Sequence, residues 1–380
     1  MEKILFVTND FGPRAGGIET FVIGLIERLP KNSVIVYTSA QDASESYDEA
    51  WRANFGVEVV RDRSRVLLPT PRVARAISKV VRKTGVETAV FGAAAPLGLL
   101  APAFRRYGIK RIVALTHGHE VWWAKVFPFS LALSRIGKFV DVLTYLGKFT
   151  KKEISSSLNF RSKETMQKLA PGIDTSHFAP HVGSSSLRMD LGLANAKVIV
   201  SVGRLVQRKG QDRLIQALPA IRRSIPSAHL LLIGEGHYRK KLETFAMKAG
   251  VQDSVTFVGR VKYRDLPRYM CVGDVFAMPC RSRFGGLEVE GLGIVYLEAS
   301  ACELPVVVGN SGGAPDAVLD GVTGLVVDGE NINQIAQAVT ELLSDPEKSR
   351  QMGIAGRQWI INEWSWDRWA QVFRGVLGIK

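Results

Sequence analysis

The sequence predicts an α/β protein built from two consecutive doubly wound, Rossmann-like domains. Three observations carry that prediction. At 380 residues the chain exceeds what one ordinary hydrophobic core serves. Short apolar runs alternate with helix-length amphipathic stretches from end to end. The alternation stops once, at "LAPGIDTSHFAP" (169–180), which has two prolines, a glycine and no periodicity, and then restarts.

In the first array, "KILFVT" (3–8), "SVIVYT" (33–38), "TAVFG" (88–92), "RIVALTH" (111–117) and "DVLTYL" (141–146) are the predicted strands. Each is apolar and continuous rather than alternating, as strands buried on both faces of a parallel sheet are. Helical stretches such as "GIETFVIGLIERL" lie between them. The second array offers "KVIVSVGRL" (197–205), "AHLLLIGEG" (228–236), "VTFVG" (255–259), "VFAMPC" (275–280), "LPVVVG" (304–309) and "GLVVD" (324–328). The last segment, "EWSWDRWAQVFRGVLG", is an amphipathic helix whose Trp364, Trp366 and Trp369 are packing groups that could pin it to the first domain. The expected domains are therefore 1–170 with helix 363–380 returning to it, and 171–362. A cleft is expected between them, with ligands at the carboxyl ends of the strands.

Composition narrows the function classes. Hydrophobic residues make up 46% and charged residues 23%, the profile of a soluble globular enzyme. The longest apolar stretch, at 90–104, contains two prolines and is too short to cross a bilayer. The N-terminus lacks the apolar region and cleavage site of a signal peptide. Cys271, Cys280 and Cys302 have no metal-ligand spacing and read as buried thiols of a reducing cytoplasm. Of the net charge of +14, residues 1–170 hold most: 26 basic against 15 acidic side chains, a net of +11. A basic first half points to an anionic partner. No nucleic-acid module or basic patch interleaved with aromatics accompanies it, so nucleic acid is not expected.

Strand ends of the second array hold a convergent set: Arg204 and Lys209 in "SVGRLVQRKG", Gly234 in "LLIGEG", Gly259 in "FVGRVKY", and "SGGAP" at 311–315. Downstream, "EVEGLGIVYLEASA" (288–301) places Glu290 and Glu298 eight positions apart, with Gly291 and Gly293 where a helix would begin. Open N–H groups at such a start form an anion site. Were 290–298 all helical, the carboxylates would lie roughly 12 Å apart along the axis. That span suits a ligand with hydroxyls at both ends and a diphosphate between, which is the design of a nucleotide sugar. Arg204 and Lys209 would supply the cations.

With "GGIE", "THGHE", "GRLVQRKG", "SGGAPD" and the "WSW" helix, "EGLGIVYLE" resembles the E-x7-E signature of retaining GT-B glycosyltransferases of family 4 along essentially the whole chain. The stretch from Arg281 to Val318 looks like the phosphatidylinositol-mannoside mannosyltransferases of the PimB type, which use GDP-mannose. The resemblance implies that Glu298 binds the ribose hydroxyls and Glu290 the transferred sugar, while Arg204 and Lys209 neutralise the diphosphate. Gly291, Leu292, Gly293 and Ile294 would present backbone amides to phosphate and sugar. Gly259, Arg260, Val261 and Lys262 would read the base, and Gly16 and Gly17 would let the first domain approach the donor. His117, after the fourth strand, would bond the transferred sugar. Leu292 stands where the family usually has Phe, and Asp316 where it has Glu. Neither change removes a catalytic group.

"THGHE" taken alone is a metal-ligand fragment, with His117, His119 and Glu120 as its donors. No further zinc motif and no D-x-D accompanies it, so metal-independent catalysis is expected. On a helical wheel of "PRVARAISKVVRKTG" (71–85), Arg72, Arg75, Lys79, Arg82 and Lys83 fall on one side and Val73, Ile77, Val80 and Val81 on the other. Such a helix can lie on anionic lipid. Trp122 and Trp123 could form the mouth through which a lipid acceptor enters. The expected protein is thus a cytoplasmic enzyme, peripheral on the inner face of the plasma membrane, that moves mannose from GDP-mannose to a phosphatidylinositol mannoside. The alternative is another family-4 retaining enzyme with a different glycolipid acceptor or a UDP-sugar donor. Oligomeric state is left open.

Overall fold

A computed structural model describes residues 3–14, 16–180 and 183–379. The chain divides into two units, 1–172 with 366–380, and 173–365.

The N-terminal unit is built on a parallel seven-stranded sheet: β1 (Ile4–Thr8), β2 (Val34–Thr38), β3 (Glu58–Arg61), β4 (Thr88–Phe91), β5 (Arg111–Ala114), β6 (Val142–Tyr145) and β7 (Met166–Lys168). Their order is β3-β2-β1-β4-β5-β6-β7. The C-terminal unit has β8 (Lys197–Val202), β9 (Ala228–Ile233), β10 (Val255–Gly259), β11 (Val275–Met278), β12 (Val306–Gly309) and β13 (Gly324–Val327). Here the order is β10-β9-β8-β11-β12-β13. In both sheets the winding reverses beside the first strand, at β1/β4 and at β8/β11, and this reversal is where doubly wound sheets open a crevice for ligands.

Every central strand was anticipated because it is buried on both faces: β1, β2, β4, β11 and β12 are buried throughout. Two edge strands escaped the sequence reading. β3 is half-exposed at all four positions and β7 exposes two of its three. An edge strand is not covered on both faces, so its sequence lacks the continuous apolar run that marks a central one. Strands also stop earlier than their apolar runs, at Ala114 and Val202. His117 and Arg204 are therefore loop residues just past strand ends.

The helix Trp366–Leu377 belongs to the N-terminal unit. Phe373 meets Phe6 of β1 at 6.1 Å, and Arg111 of β5 donates twice to the Val376 carbonyl, at 2.8 and 2.6 Å. Gly24 is needed opposite it, since a Cβ there would lie 2.3 Å from the Trp366 ring.

In the C-terminal unit the loop after β8 closes on the loop after β11. Gly210 has φ +76°, and a Cβ there would sit 1.9 Å from the Pro279 carbonyl oxygen. Both the left-handed backbone and the close approach demand glycine. Gly210→Ala should lower stability by more than about 1 kcal/mol, measured by urea denaturation, whereas Gly250→Ala, also at positive φ but with open space around its Cβ, should cost less.

Candidate active site

Glu290 is buried with 8% of its surface exposed, in the loop between β11 and the helix Ile294–Ala301. The helix does not reach it. Gly293 caps the helix in a left-handed conformation, φ +81°, and a Cβ there would strike the Tyr296 ring at 2.4 Å. The helix thus begins where the two glycines were expected to start it, and the conditional all-helical span does not hold: Glu298 lies on the helix and Glu290 precedes it.

Glu290 is met by Arg208 Nη1 at 2.6 Å and Lys209 Nζ at 2.7 Å. Two other arginines near it in sequence, Arg281 and Arg283, are engaged elsewhere. Arg281 makes a bidentate bond to Asp212, both distances 2.8 Å, and Arg283 pairs with Glu288 at 2.9 Å. Burial works to raise the Glu290 pKa, but Lys209 and Arg208 together hold it below its ordinary value. The Arg281 N–H donates to the Arg208 carbonyl at 2.8 Å, and the Gly313 N–H to the Glu290 carbonyl at 2.8 Å. A Cβ on Gly313 would lie 2.1 Å from the Gly291 carbonyl oxygen, so "SGG" is the floor on which the Glu290–Gly293 loop rests.

Glu298 is different. It is buried, 7% exposed, and no hydrogen bond or ion pair to its carboxylate is found among the described residues. Burial alone lifts its pKa to about 7. Arg204 is exposed on the loop after β8, its carbonyl taken by Gln211 at 3.4 Å. Leu292 and Gly293 are buried, Gly291 and Ile294 half-buried. The ends of the neighbouring strands are knit together, with Gly203 N–H to Ile233 O at 3.0 Å and Gly234 N–H to Gly259 O at 2.8 Å. A Cβ on Gly234 would lie 2.0 Å from the Gly203 carbonyl oxygen. Beyond Gly259, Arg260 and Lys262 are exposed and Val261 half-buried.

In the N-terminal unit, His117 Nε2 lies 2.5 Å from the Gly92 carbonyl oxygen. A carbonyl only accepts, so Nε2 carries the proton and Nδ1 is left as an acceptor. Desolvation lowers the His117 pKa, keeping the imidazole neutral. The His117 backbone N–H donates to the Glu120 carboxylate at 2.9 Å, and Phe21 meets the imidazole ring edge-on at 5.6 Å. His119 is exposed, 3.2 Å from Glu120. Among the described residues no group of three His, Cys, Asp or Glu is placed to hold a metal ion. Gly16 precedes the helix Gly17–Ile26 with extended backbone, and a Cβ there would strike the Glu19 carboxylate at 2.3 Å. Gly17 faces open space.

The relatives can now be set beside this geometry. Over 365 residues the chain is 45% identical to the "GDP-mannose-dependent alpha-(1-6)-phosphatidylinositol monomannoside mannosyltransferase" of Mycolicibacterium smegmatis, spanning 96% of this chain and 95% of that protein. Residues 15–177 match the model for Glycosyltransferase Family 4 and residues 187–359 that for Glycosyl transferases group 1. The chain is a family 4 glycosyltransferase. A Corynebacterium glutamicum relative, the "GDP-mannose-dependent monoacylated alpha-(1-6)-phosphatidylinositol monomannoside mannosyltransferase", is 40% identical over 378 residues, 99% of this chain and 97% of that one. In fold, the crystal structure of Anabaena HepE in complex with UDP matches with a TM-score of 0.83 at 20% identity, covering 99% of both chains. The fold of this glycosyltransferase is GT-B.

Two groups of the enzyme were missed in the sequence. Arg208 is the second cation on Glu290, hidden there as one of three basic residues in a single loop. Asp10 lies just past β1, 3.7 Å from Arg14, and burial followed by repulsion from Glu19 raises its pKa to about 6. Its position at a strand end was the available signal.

The basic helix Pro71–Thr84 does turn Val73, Ile77 and Val81 inward, with Val80 half-buried, and exposes Arg75, Lys79, Arg82 and Lys83. Arg72 is a correction: it makes a bidentate pair with buried Asp62, at 2.7 and 3.0 Å, and so is not free for a partner. Trp122 and Trp123 are half-buried and cluster on Phe129, at 4.6 and 5.1 Å, while Phe127 stands 77% exposed. Cys271 is half-buried rather than buried; Cys280 and Cys302 are buried.

Glu298 yields a pH prediction. Its folded pKa of about 7 lies above the ordinary 4.5, so the folded state binds the extra proton between those values. Stability should then fall as pH rises from 4.5 to 7, by about 3 kcal/mol at most. Glu298→Gln should remove that slope in denaturation at pH 5 and pH 8. In wild type, calorimetry in buffers of differing ionisation enthalpy should show proton release when GDP binds near pH 6.5. No proton release would mean that Glu298 does not face the nucleotide.

Proposed function

We propose that the enzyme transfers mannose from GDP-mannose to phosphatidylinositol monomannoside, with retention, forming an α-1,6 linkage. The observation that carries this reading is the near full-length identity to enzymes named for that reaction, combined with the buried carboxylate pair at the β8/β11 reversal.

Charge supports it. Arg204, Arg208, Lys209 and Arg283 against Glu288 and Glu290 leave a net of two positive charges, matching the two negative charges of a nucleoside diphosphate ester. The open N–H groups of the helix Ile294–Ala301 add to this on the same side of the sheet. Glu290, kept ionised, accepts from sugar hydroxyls, and Glu298 from ribose hydroxyls. Neutral His117 accepts through Nδ1 from a hydroxyl of the transferred sugar.

The departing diphosphate gains charge as the glycosidic bond breaks, and pre-placed cations stabilise that charge more than they stabilise the bound donor. The leaving group itself takes the acceptor's proton. No metal is assigned a step, and we propose that none is required: activity should survive EDTA unchanged. No helix among the described residues is long and apolar enough to cross a membrane. Contact with the inner face of the plasma membrane is assigned to the basic helix 71–84, as a peripheral association.

The direct experiment offers GDP-mannose, UDP-glucose and UDP-N-acetylglucosamine with phosphatidylinositol monomannoside, and reads the anomeric configuration of the product by NMR. Preference for a UDP-sugar, or an inverted product, refutes the reading. Lys209→Ala should lower kcat by roughly 100-fold or more and change GDP affinity by less than about tenfold. An intact kcat with only KM raised would remove Lys209 from the transition state.

A further inference from the structure

Two cysteines that the reaction does not use stand at the far ends of the C-terminal strands, away from the donor loops. Cys271 lies four residues before β11 and Cys302 four residues before β12, and these strands pair in parallel with Phe276 beside Val306. Topology thus brings both residues to one end of the sheet. Arg357 fixes their surroundings: it donates to the Phe178 carbonyl at 3.1 Å and to the Ala301 carbonyl, the residue just before Cys302. Cys271 in turn donates to the carbonyl of Ala179, the residue after Phe178, at 3.3 Å. Both cysteines line one cavity of about 440 Å³, with Pro180, Gly273 and Pro305 among its walls.

The two thiols hydrogen-bond to each other. The Cys271 proton is spent on Ala179, so Cys302 donates and the Cys271 sulfur accepts. That bond first, and burial second, hold the Cys302 thiol far above its ordinary range, whereas Cys271 is only half-buried. The partners are therefore unequal. Cys271 is within reach of a small oxidant, and Cys302 waits, protonated, against its sulfur. The helix Ile294–Ala301 ends on Cys302, whose N–H donates to the Glu298 carbonyl at 3.2 Å. A covalent change at Cys302 is thus one turn from the carboxylate assigned above to the ribose.

We propose that Cys271 and Cys302 form a peroxide-sensitive dithiol whose closure to a disulfide loosens the nucleotide site. The Cys271 sulfur attacks hydrogen peroxide: an S–O bond forms, the O–O bond breaks, and the departing hydroxide leaves as water with the Cys271 proton. The Cys302 sulfur then attacks the sulfenic acid. The S–S bond forms, the S–O bond breaks, and the Cys302 proton leaves with the second hydroxide as water. Two thiols lose two electrons and the peroxide gains them. The new bond is shorter than the hydrogen bond it replaces, so closing it draws the last turn of the helix Ile294–Ala301 toward Cys271 and displaces Glu298. The chemistry at sulfur stands on the geometry of the pair; its effect on the nucleotide rests on the role proposed for Glu298.

The test treats the full chain with hydrogen peroxide and maps its peptides without reduction. Expected are a peptide joining Cys271 to Cys302 and a loss of two hydrogen atoms from the intact mass. GDP affinity, read by calorimetry, should then fall by about fivefold or more, the worth of one hydrogen bond. Dithiothreitol should reverse both changes, and Cys271→Ser, which keeps a donor for Ala179, should show neither. The joined peptide is read on the wild-type chain, so a variant that fails to fold cannot hide it. Oxidation of Cys271 to the sulfinic acid with no joined peptide would overturn the proposal. So would a joined peptide that leaves GDP affinity unchanged, or an equal loss of affinity in peroxide-treated Cys271→Ser, since the sensitive group would then lie elsewhere. A reduced wild-type chain that binds UDP and not GDP would sink the GDP-mannose reading alone; the joined peptide and the affinity for UDP would then decide the dithiol.

Discussion

A carboxylate buried between two cations is the constraint on which the C-terminal unit depends. Removing Glu290, Arg208 and Lys209 from water costs several kcal/mol per ion, and only close, well-formed contacts offset that. The contacts of 2.6 and 2.7 Å do so, as the lowered Glu290 pKa indicates. Each neighbouring feature serves to hold those distances. Gly210 lets the cationic loop approach Pro279; the Arg281–Asp212 pair, both partners at most 5% exposed, ties the loop after β11 to the helix that follows Lys209; Gly312 and Gly313 support the backbone of Glu290 from below. A buried ion pair of this kind is weak evidence for stability. It is better understood as fixing one arrangement of two loops that could otherwise settle in several.

The two glutamates of one motif are thus opposite electrostatic devices. Glu290 is neutralised before any ligand arrives, so its role is to shape and orient. Glu298 meets no counter-charge among the described residues and sits at a pKa of about 7, poised between forms near neutral pH. A ligand that brings hydroxyl donors supplies what the protein withholds, and binding becomes coupled to ionisation. The same burial would be a defect in a structural residue. In the helix that follows β11, beside the reversal of the sheet's winding, it would suit a polyol.

The fold was legible because central strands of a parallel sheet are uniformly apolar, and β3 and β7 were not legible because edges are free of that demand. The E-x7-E spacing was legible as a motif, and its glycines marked the helix start, but the path of the loop that carries Glu290 was not legible. A left-handed Gly293 breaks the helix, and nothing in a glycine's presence says which sign its φ takes. Arg208 went unseen for a related reason: adjacent basic residues in a loop point in directions set by the backbone, and only the turn at Gln207–Lys209 brings both Arg208 and Lys209 onto one carboxylate. Arg72 shows the converse. Its place on the helical wheel was right, but Asp62, ten residues earlier on a different element, claims it.

The distribution of charge in the N-terminal unit completes the argument. The basic excess of that half would suggest a cationic active site, yet past β1 a single arginine, Arg14, is met by two carboxylates, Asp10 and Glu19. Asp10, Glu19 and Glu120 gather there with an imidazole that burial keeps uncharged. Groups that accept hydrogen bonds suit an uncharged polyol, which is what an acceptor offers at the atom to be glycosylated. Eight of the unit's cations stand apart from these, between residues 58 and 84, on and beside β3 and the helix Pro71–Thr84. One unit can therefore address both ends of a glycolipid, polyol and anionic surroundings, without asking either set of side chains to tolerate the other's chemistry.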